Sequence, residues 1–433
     1  MSTTAANFKP ASSATRASGQ AIGFLMQQGI ENADCLSLAA GFVDPHTLPV
    51  ELVKESTARL FSDKTGQSVL QYGTTFGSDD LRAVFKDYLC ELEGQSDQST
   101  HLPVDQIVLT TGSQQLLALV SQAIFNEGDI CLVAAPTYFV YLGVLDGVGA
   151  ETIPIHTDHD GMCPDALDAE LQRLADVGQL HKVKMVYVVS YHDNPAGVSV
   201  SAERRPRLVD VVKKWSDAQQ IFLLEDAAYR ELHYEGPHQP SLWSYDDSYQ
   251  SSDDQMVILS QTFSKSFSPG VRVGVGVLPR QLLKSVADLK GNEDFGSSHL
   301  AQNVMADVLR SGKYRRHVEQ LQDSYRIKRD VMLAAAEEFF GDIDGVSWLQ
   351  PAGGLYVWMS LPESVHTGFD SRLFEQATTI NKVTYVPGEL CYPSSWNKRP
   401  RNQMRLSFGI LDPDSLKEGM KRLANAIKEV LGQ

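Results

Sequence analysis

Residues 261–276, QTFSKSFSPGVRVGVG, hold one lysine, Lys265, among the hydroxyls of Thr262, Ser264, Ser266 and Ser268. A Pro-Gly pair follows at Pro269 and Gly270, and Arg272 comes seven residues after the lysine. Just upstream, residues 256–259 (MVIL) predict a short buried strand. The lysine therefore lies on the turn leaving a strand's carboxyl end, the edge where active sites gather in open α/β sheets. A lysine amine forms a Schiff base with a carbonyl compound once desolvation or a neighbouring cation depresses its pKa. If that compound carries a phosphate, it also needs hydroxyl donors and a fixed positive charge, and Thr262, Ser264 and Arg272 are the right types. On its own the stretch reads equally well as a Ser-rich loop with a solvated lysine.

Further candidates sit at the ends of other apolar runs. Residues 106–109 (QIVL) predict a strand, and Thr110-Thr111-Gly112-Ser113-Gln114 leads into an apolar helix over 115–125. A strand, a glycine turn and a helix N-terminus make an anion site, because the first N–H groups are unpaired and the helix dipole favours negative charge. Ser113 reads as readily as a helix N-cap. Neither GxxxxGK[ST] nor GxGxxG spacing is present. Residues 129–134 (DICLVA) predict a strand running into Pro136-Thr137-Tyr138, where the tyrosine either stacks on a flat ring or closes the core. Strands predicted over 183–189 (VKMVYVV) and 221–224 (IFLL) lead to Asn194 and to Asp226 with Tyr229. A carboxylate directly after an apolar strand is costly without a partner, unless it simply caps a helix. Gly41 lies in LSLAAGFVDPHTLP (36–49), where a tight loop alone explains it. The loop QYGTTFG (71–77) carries Tyr72 and Phe76, and the predicted strand MRLSF (404–408) carries Arg405.

Strand-helix alternation over about 106–278, with a last strand over 271–278, predicts a mainly parallel sheet with helices on both faces. A short amphipathic helix is expected over 21–29, and others over 79–92, 164–177 and from about 201 to 215. Residues 282–340 read as long helices. Strands over 346–361 (broken by Gly353-Gly354), 383–387 and 404–408, with a closing helix over 416–431, predict an α+β unit. The 433 residues are 42% hydrophobic and 21% charged, with formal net charge −16. That charge weighs against nucleic acid and anionic membrane surfaces as partners. Five cysteines (Cys35, Cys90, Cys131, Cys163 and Cys391) without CxxC spacing predict neither disulfides nor a metal site, and fit a cytoplasmic protein. No apolar run has the length of a membrane span and no signal-peptide pattern is present. Residues 1–17 read as a flexible arm.

Together these residues meet the needs of pyridoxal 5'-phosphate: an imine-forming lysine, phosphate donors, an aromatic face, donors to its phenolate oxygen and a carboxylate for its ring nitrogen. The chain resembles the class I/II, fold-type I pyridoxal-phosphate aminotransferases. It is most similar to the branch of 2-aminoadipate and kynurenine aminotransferases and the aminotransferase domain of MocR-type regulators. The motifs are LSLAAGFVDPHTLP, QYGTTFG, TTGSQQ, PTY, NPAG, EDAAYREL, SKSFSPGVRVG, GGLYVWMSLP, VPGELCY and MRLSF, from Leu36 to near the C-terminus.

The resemblance implies a large domain with a seven-stranded type of mainly parallel sheet (51–300), a smaller α+β domain (301–433), and an N-terminal segment (1–50) joining the latter. It implies that Lys265 forms the Schiff base and Asp226 partners the ring nitrogen. Asn194 and Tyr229 would hold the phenolate oxygen, with Tyr138 on the ring face. Ser113, Gln114, Thr262, Ser264 and Arg272 would hold the phosphate. Arg405, assisted by Asn194, would bind the substrate carboxylate, with Gly41 alongside. Tyr72 would reach the phosphate of a neighbouring subunit, giving a homodimer with shared active sites. The implied reaction is ping-pong transamination between an amino acid and a 2-oxo acid, of broad or 2-aminoadipate-like preference. β-Elimination, racemisation and decarboxylation use the same scaffold, and a sensor module is a further alternative. The motif usually reading QNPTG here reads Asp193-Asn194-Pro195-Ala196-Gly197, and Ala227 follows Asp226. These departures remove no catalytic group and change the neighbours of Asn194 and Asp226.

Overall fold

The apolar runs become strands, and most of them join one sheet. The computed structural model describes residues 8–17, 23, 34–62, 66–94, 102–247 and 254–433. Its strands in chain order are β1 (Leu36–Ser37), β2 (Ile107–Thr111), β3 (Ile130–Ala135), β4 (Glu151–Asp158), β5 (Gly161–Met162), β6 (Val183–Val189), β7 (Phe222–Asp226), β8 (Val257–Thr262), β9 (Val273–Val277), β10 (Ser347–Trp348), β11 (Tyr356–Ser360), β12 (Val383–Thr384), β13 (Val386–Pro387) and β14 (Gln403–Ser407).

The large sheet runs β2-β9-β8-β7-β6-β3-β4-β5. From β8 to β4 all neighbours are parallel, β9 is antiparallel to both its neighbours, and β5 is a two-residue antiparallel edge. This is the expected mainly parallel α/β sheet. Its strands are buried on both faces, which is why they read as unbroken apolar runs. Successive residues feed two different cores. Val108, Cys131 and Val133 enter one, and Ile107, Leu109, Ile130 and Leu132 enter the other. The first core continues to Tyr356, Leu406 and Ile427. These lie in or against a second, antiparallel sheet of order β10-β11-β14-β13. β1 pairs in parallel with β12, tying the N-terminal segment to the C-terminal part of the chain. No described helix is long and apolar enough to cross a membrane.

Several elements differ from expectation. The helical stretch over 282–340 divides into Arg280–Asp294, His299–Arg310 and Lys313–Phe340, with positive φ at Phe295 (57°) and Gly312 (68°) in the breaks. Helices Val50–Leu60 and Phe139–Val148 were not foreseen. The second is apolar on every side and shows no amphipathic stripe. Ser12–Arg16, read as part of a flexible arm, is a short helix. Arg16 donates to the carbonyls of Asp146 and Gly147 at 3.2 and 3.3 Å. The helix expected over 21–29 falls, apart from residue 23, outside the described residues.

Candidate active site

β8, β7, β6 and β3 are consecutive neighbours, and each delivers site residues from its carboxyl end. Thr262 ends β8, and Lys265 follows on the next turn. Asp226 ends β7, Asn194 lies beyond β6, and Tyr138 follows β3 as N-cap of helix Phe139–Val148. Parallel strands must all leave the sheet at this edge, so residues far apart in sequence converge there.

Asp226 is buried, 4% exposed. It accepts from the Tyr187 hydroxyl at 3.0 Å and from the Ala228 N–H at 3.1 Å. Burial pushes its carboxyl up to about 6, while those two donors pull it back down. No cation pairs with it among the described residues. Lys265 is partly buried, and its Nζ donates to the Gly41 carbonyl at 2.8 Å. Desolvation holds its ammonium below the ordinary lysine range; Tyr356 opposes the shift, and Arg405 and Arg272 add to it. The depressed amine that imine chemistry requires is therefore present.

Arg405 projects from β14. It donates to Asn194 Oδ1 at 2.8 Å and to the Ala39 carbonyl at 2.7 Å. Its guanidinium lies 4.3 Å from the centre of the Tyr356 ring, and its Nε is buried without a partner among the described residues. The Tyr229 hydroxyl is 3.0 Å from that of Tyr356.

The phosphate-type residues meet at the far end of the same edge. Thr262 donates to Ser264 Oγ at 3.0 Å. Arg272, in the left-handed region at φ 51°, donates to Ser264 Oγ at 3.4 Å and to the Thr111 carbonyl at 3.2 Å. The helix over Ser113–Ile124 begins here, and its N-cap is Gly112 at φ 72°, not Ser113 as one reading had it. Glycine is required: a Cβ at Gly112 would stand 2.6 Å from Arg272 Nη2. Gln114 Oε1 is buried and unpartnered among the described residues.

These features fit pyridoxal phosphate. A buried carboxylate faces no cation, an arginine has hydroxyl and carbonyl partners but no carboxylate, and a glycine-lined turn leaves a cradle that a Cβ would fill. Among the described residues no group of three or more His, Cys, Asp or Glu could hold a metal.

Tyr72 was expected to serve a neighbouring subunit and lies apart from this chain's own cluster. Tyr72 is 82% exposed, with its ring 6.5 Å from that of Phe295. Phe76, from the same loop, packs against the core. Three participants escaped the sequence reading: Tyr187, Tyr356 and the Ala39 carbonyl. Tyrosines inside apolar strands read as core, and a carbonyl has no sequence signature. A polar tip within VKMVYVV was the available signal for Tyr187.

Residues 33–423 match the family described as aminotransferase class I and II. The chain is 34% identical over 402 residues to aromatic-amino-acid aminotransferase 1 of Thermococcus litoralis, covering 92% of this chain and 89% of that one. It is 30% identical over 396 residues to a 2-aminoadipate transaminase of Thermus thermophilus, covering 92% and 91%. It matches the crystal structure of the kynurenine aminotransferase of Pyrococcus horikoshii, in complex with PMP, with a TM-score of 0.86, at 32% identity and over 98% of this chain and 97% of that one. A sheet edge built for a phosphorylated aldehyde and a match along nearly the whole chain lead to one result: the chain belongs to the class I and II aminotransferases, fold-type I enzymes that depend on pyridoxal phosphate.

Proposed function

We propose that this aminotransferase works by two half-reactions at a single site centred on Lys265, first taking the amino group of an L-amino acid and then giving it to a 2-oxo acid. The observation carrying this reading is that Lys265 and Asp226 stand at the carboxyl edge of the large sheet, and that Arg405 reaches that edge from β14 of the second sheet and bonds Asn194 there. Pyridoxal phosphate, when bound, supplies an electron sink for the pair left at the substrate's Cα.

The chain's own residues do the rest. Arg405 presents its fork to the substrate carboxylate, and its unpartnered Nε is a donor already desolvated for that purpose. Fixing the carboxylate aims the Cα–H bond and selects which bond breaks. The Lys265 amine, whose charged form desolvation disfavours, would accept the proton from the substrate's Cα at Nζ and later give it up again. Asp226 stays ionised against a protonated ring nitrogen, with Tyr187 holding its Oδ2. Asn194 and Tyr229 hold the phenolate oxygen and Tyr138 covers the ring. Ser113, Gln114, Thr262, Ser264 and Arg272 bind the phosphate, and Gly41 lies beside the substrate. The second half-reaction runs the same proton transfers backwards.

The assembly in this reading is a homodimer in which Tyr72 completes the neighbour's phosphate site. The division is 1–50, 51–300 and 301–433. It is supported by the large sheet's strands lying within 107–277, those of the antiparallel sheet within 347–407, and the β1–β12 pairing. The protein acts in the cytoplasm. Donor preference is broad or 2-aminoadipate-like, supported by the names of relatives acting on aromatic amino acids and on 2-aminoadipate.

Visible absorption of the purified protein with pyridoxal phosphate tests the core of this. A yellow band that bleaches with an amino acid and returns with a 2-oxo acid is expected, and Lys265→Ala should lack it. A band that never bleaches would reject transamination, and no band would reject the site. A donor panel with 2-oxoglutarate tests specificity: no turnover of aminoadipate, glutamate or any aromatic donor would sink that preference.

A further inference from the structure

Tyr356 occupies a position that the assigned roles leave unexplained. It is 1% exposed and opens β11, opposite Ser407 of β14. It thus belongs to the antiparallel sheet, whereas Tyr229 follows β7 of the large sheet. Yet the two hydroxyls meet at 3.0 Å, with ring centroids 5.7 Å apart and planes 76° to one another. The Tyr356 ring also lies under the Arg405 guanidinium at 4.3 Å. A Cβ on Gly41 would come within 2.6 Å of its hydroxyl, and the Gly41 carbonyl is the acceptor for Lys265. One side chain therefore touches the arginine, the phenolate-side tyrosine and the backbone that orients the lysine.

We propose that Tyr356 is a positioning residue that donates its hydroxyl proton to Tyr229, so that Tyr229 is committed to donating its own to the cofactor's phenolate oxygen. This rests on the reading above that Tyr229 faces that oxygen. A hydroxyl has one proton and two lone pairs, so the two tyrosines can be ordered only one way once an oxyanion lies beyond Tyr229. The order is Tyr356 to Tyr229 to oxyanion. Hydrogen bonds in such a chain polarise and strengthen one another at low dielectric. The ring performs a separate task, supporting the Arg405 plane. Because the outer member stands on the other sheet, any shift of that sheet relative to the first alters the donor strength felt at the phenolate oxygen.

The chemistry predicts a direction. In the Lys265–cofactor linkage the imine proton is shared with the phenolate oxygen. A stronger donor on that oxygen makes it a poorer base and lets the proton leave at lower pH. Tyr356→Phe keeps the ring and deletes the donor. The pH midpoint of the visible band of the cofactor-loaded protein should rise by roughly half to one unit, the worth of one hydrogen bond. The KM for amino donors should change less than about threefold, since the ring under Arg405 remains. The same substitution on a Tyr229→Phe background should add no further shift, because the chain is already cut. An unchanged midpoint in Tyr356→Phe would overturn the proposal. So would a shift of equal size with and without Tyr229, which would mean that Tyr356 acts by another route. If the wild type forms no lysine-dependent band at all, the fault lies instead with the underlying site assignment. Tyr229→Phe alone, read in the same titration, probes the pair from its other member should Tyr356→Phe fold poorly.

Discussion

Arg405 makes three kinds of contact at once, and only arginine can. Its planar head bonds Asn194 Oδ1 and the Ala39 carbonyl while standing 4.3 Å from the centre of the Tyr356 ring. Arg405→Lys keeps the charge and loses the fork and the stacking. KM for amino acids should rise about 10- to 100-fold, the worth of one or two charged hydrogen bonds, with the cofactor's absorption unchanged. An unaltered KM would remove Arg405 from the carboxylate site. Asp193 is the residue where the motif departs from NPTG's usual glutamine, and the structure gives it a task. It is 5% exposed, and its Oδ1 accepts from the Val198 N–H at 2.9 Å, closing the turn that presents Asn194. Burial pushes its carboxyl up to about 7. An unfolded aspartate titrates near 4, so the folded form holds its proton more tightly. The sign follows: this contribution to stability is complete below about pH 4 and is lost as pH rises through about 7. Asp193→Asn keeps the acceptor without the charge. In urea unfolding of the apoprotein the variant should gain on the wild type between pH 5 and pH 8, by a total on the order of 3 kcal/mol. A gap that stays constant with pH would show that Asp193 is not a buried charge. At this scale the sequence was most legible where a polar group closed an apolar run, as at Asp226. It was least legible where a tyrosine continued one, as at Tyr187 and Tyr356.

The elements carry a different lesson. Parallel strands covered on both faces announce themselves as apolar runs, and so β3, β6 and β7 were readable to within a residue or two, while β8 runs three residues past its expected end, to Thr262. Their order across the sheet was not. That order depends on which helices pack where, and no local pattern encodes that β6 lies between β3 and β7. The turn between β2 and its helix shows how one residue can belong to two elements. Gly112 has φ 72° and packs against Arg272, which itself leads into β9. Gly112→Ala would meet both the left-handed backbone penalty of about 1–2 kcal/mol and the guanidinium at 2.6 Å. Pyridoxal phosphate affinity, measured by titrating the apoprotein, should fall at least roughly tenfold as Arg272 is displaced. Gly128→Ala is the control. Its φ is 84°, but nothing lies within 4 Å of the added carbon, so it should lose a similar amount of stability and keep its affinity for the cofactor. Equal losses of affinity in both variants would mean that backbone strain, not the cradle, explains the result.

At the scale of the whole molecule, the exposed aromatics are informative. Tyr72 and Phe295 are 82% and 75% exposed yet stand beside one another. Leu70, on the same loop, is 68% exposed. In the proposed homodimer this cluster is the surface that the second subunit would cover. In a two-fold dimer the same patch serves both subunits, so each would lend Tyr72 to the other's site. Mixing two crippled variants tests this without relying on structure. Lys265→Ala has no imine lysine, and Tyr72→Ala has no tyrosine to lend, so each homodimer should be nearly inactive. In the hybrid, the subunit that retains Lys265 faces a partner that retains Tyr72, and that one site is whole. Its counterpart lacks both groups. Random re-pairing after mild dissociation makes about half of all dimers hybrids, each with one working site of two, so about a quarter of wild-type activity should return. Recovery of that size requires sites built from two chains. If Tyr72→Ala alone is fully active, or if the mixture stays as inactive as its parents after confirmed subunit exchange, Tyr72 does not cross the interface.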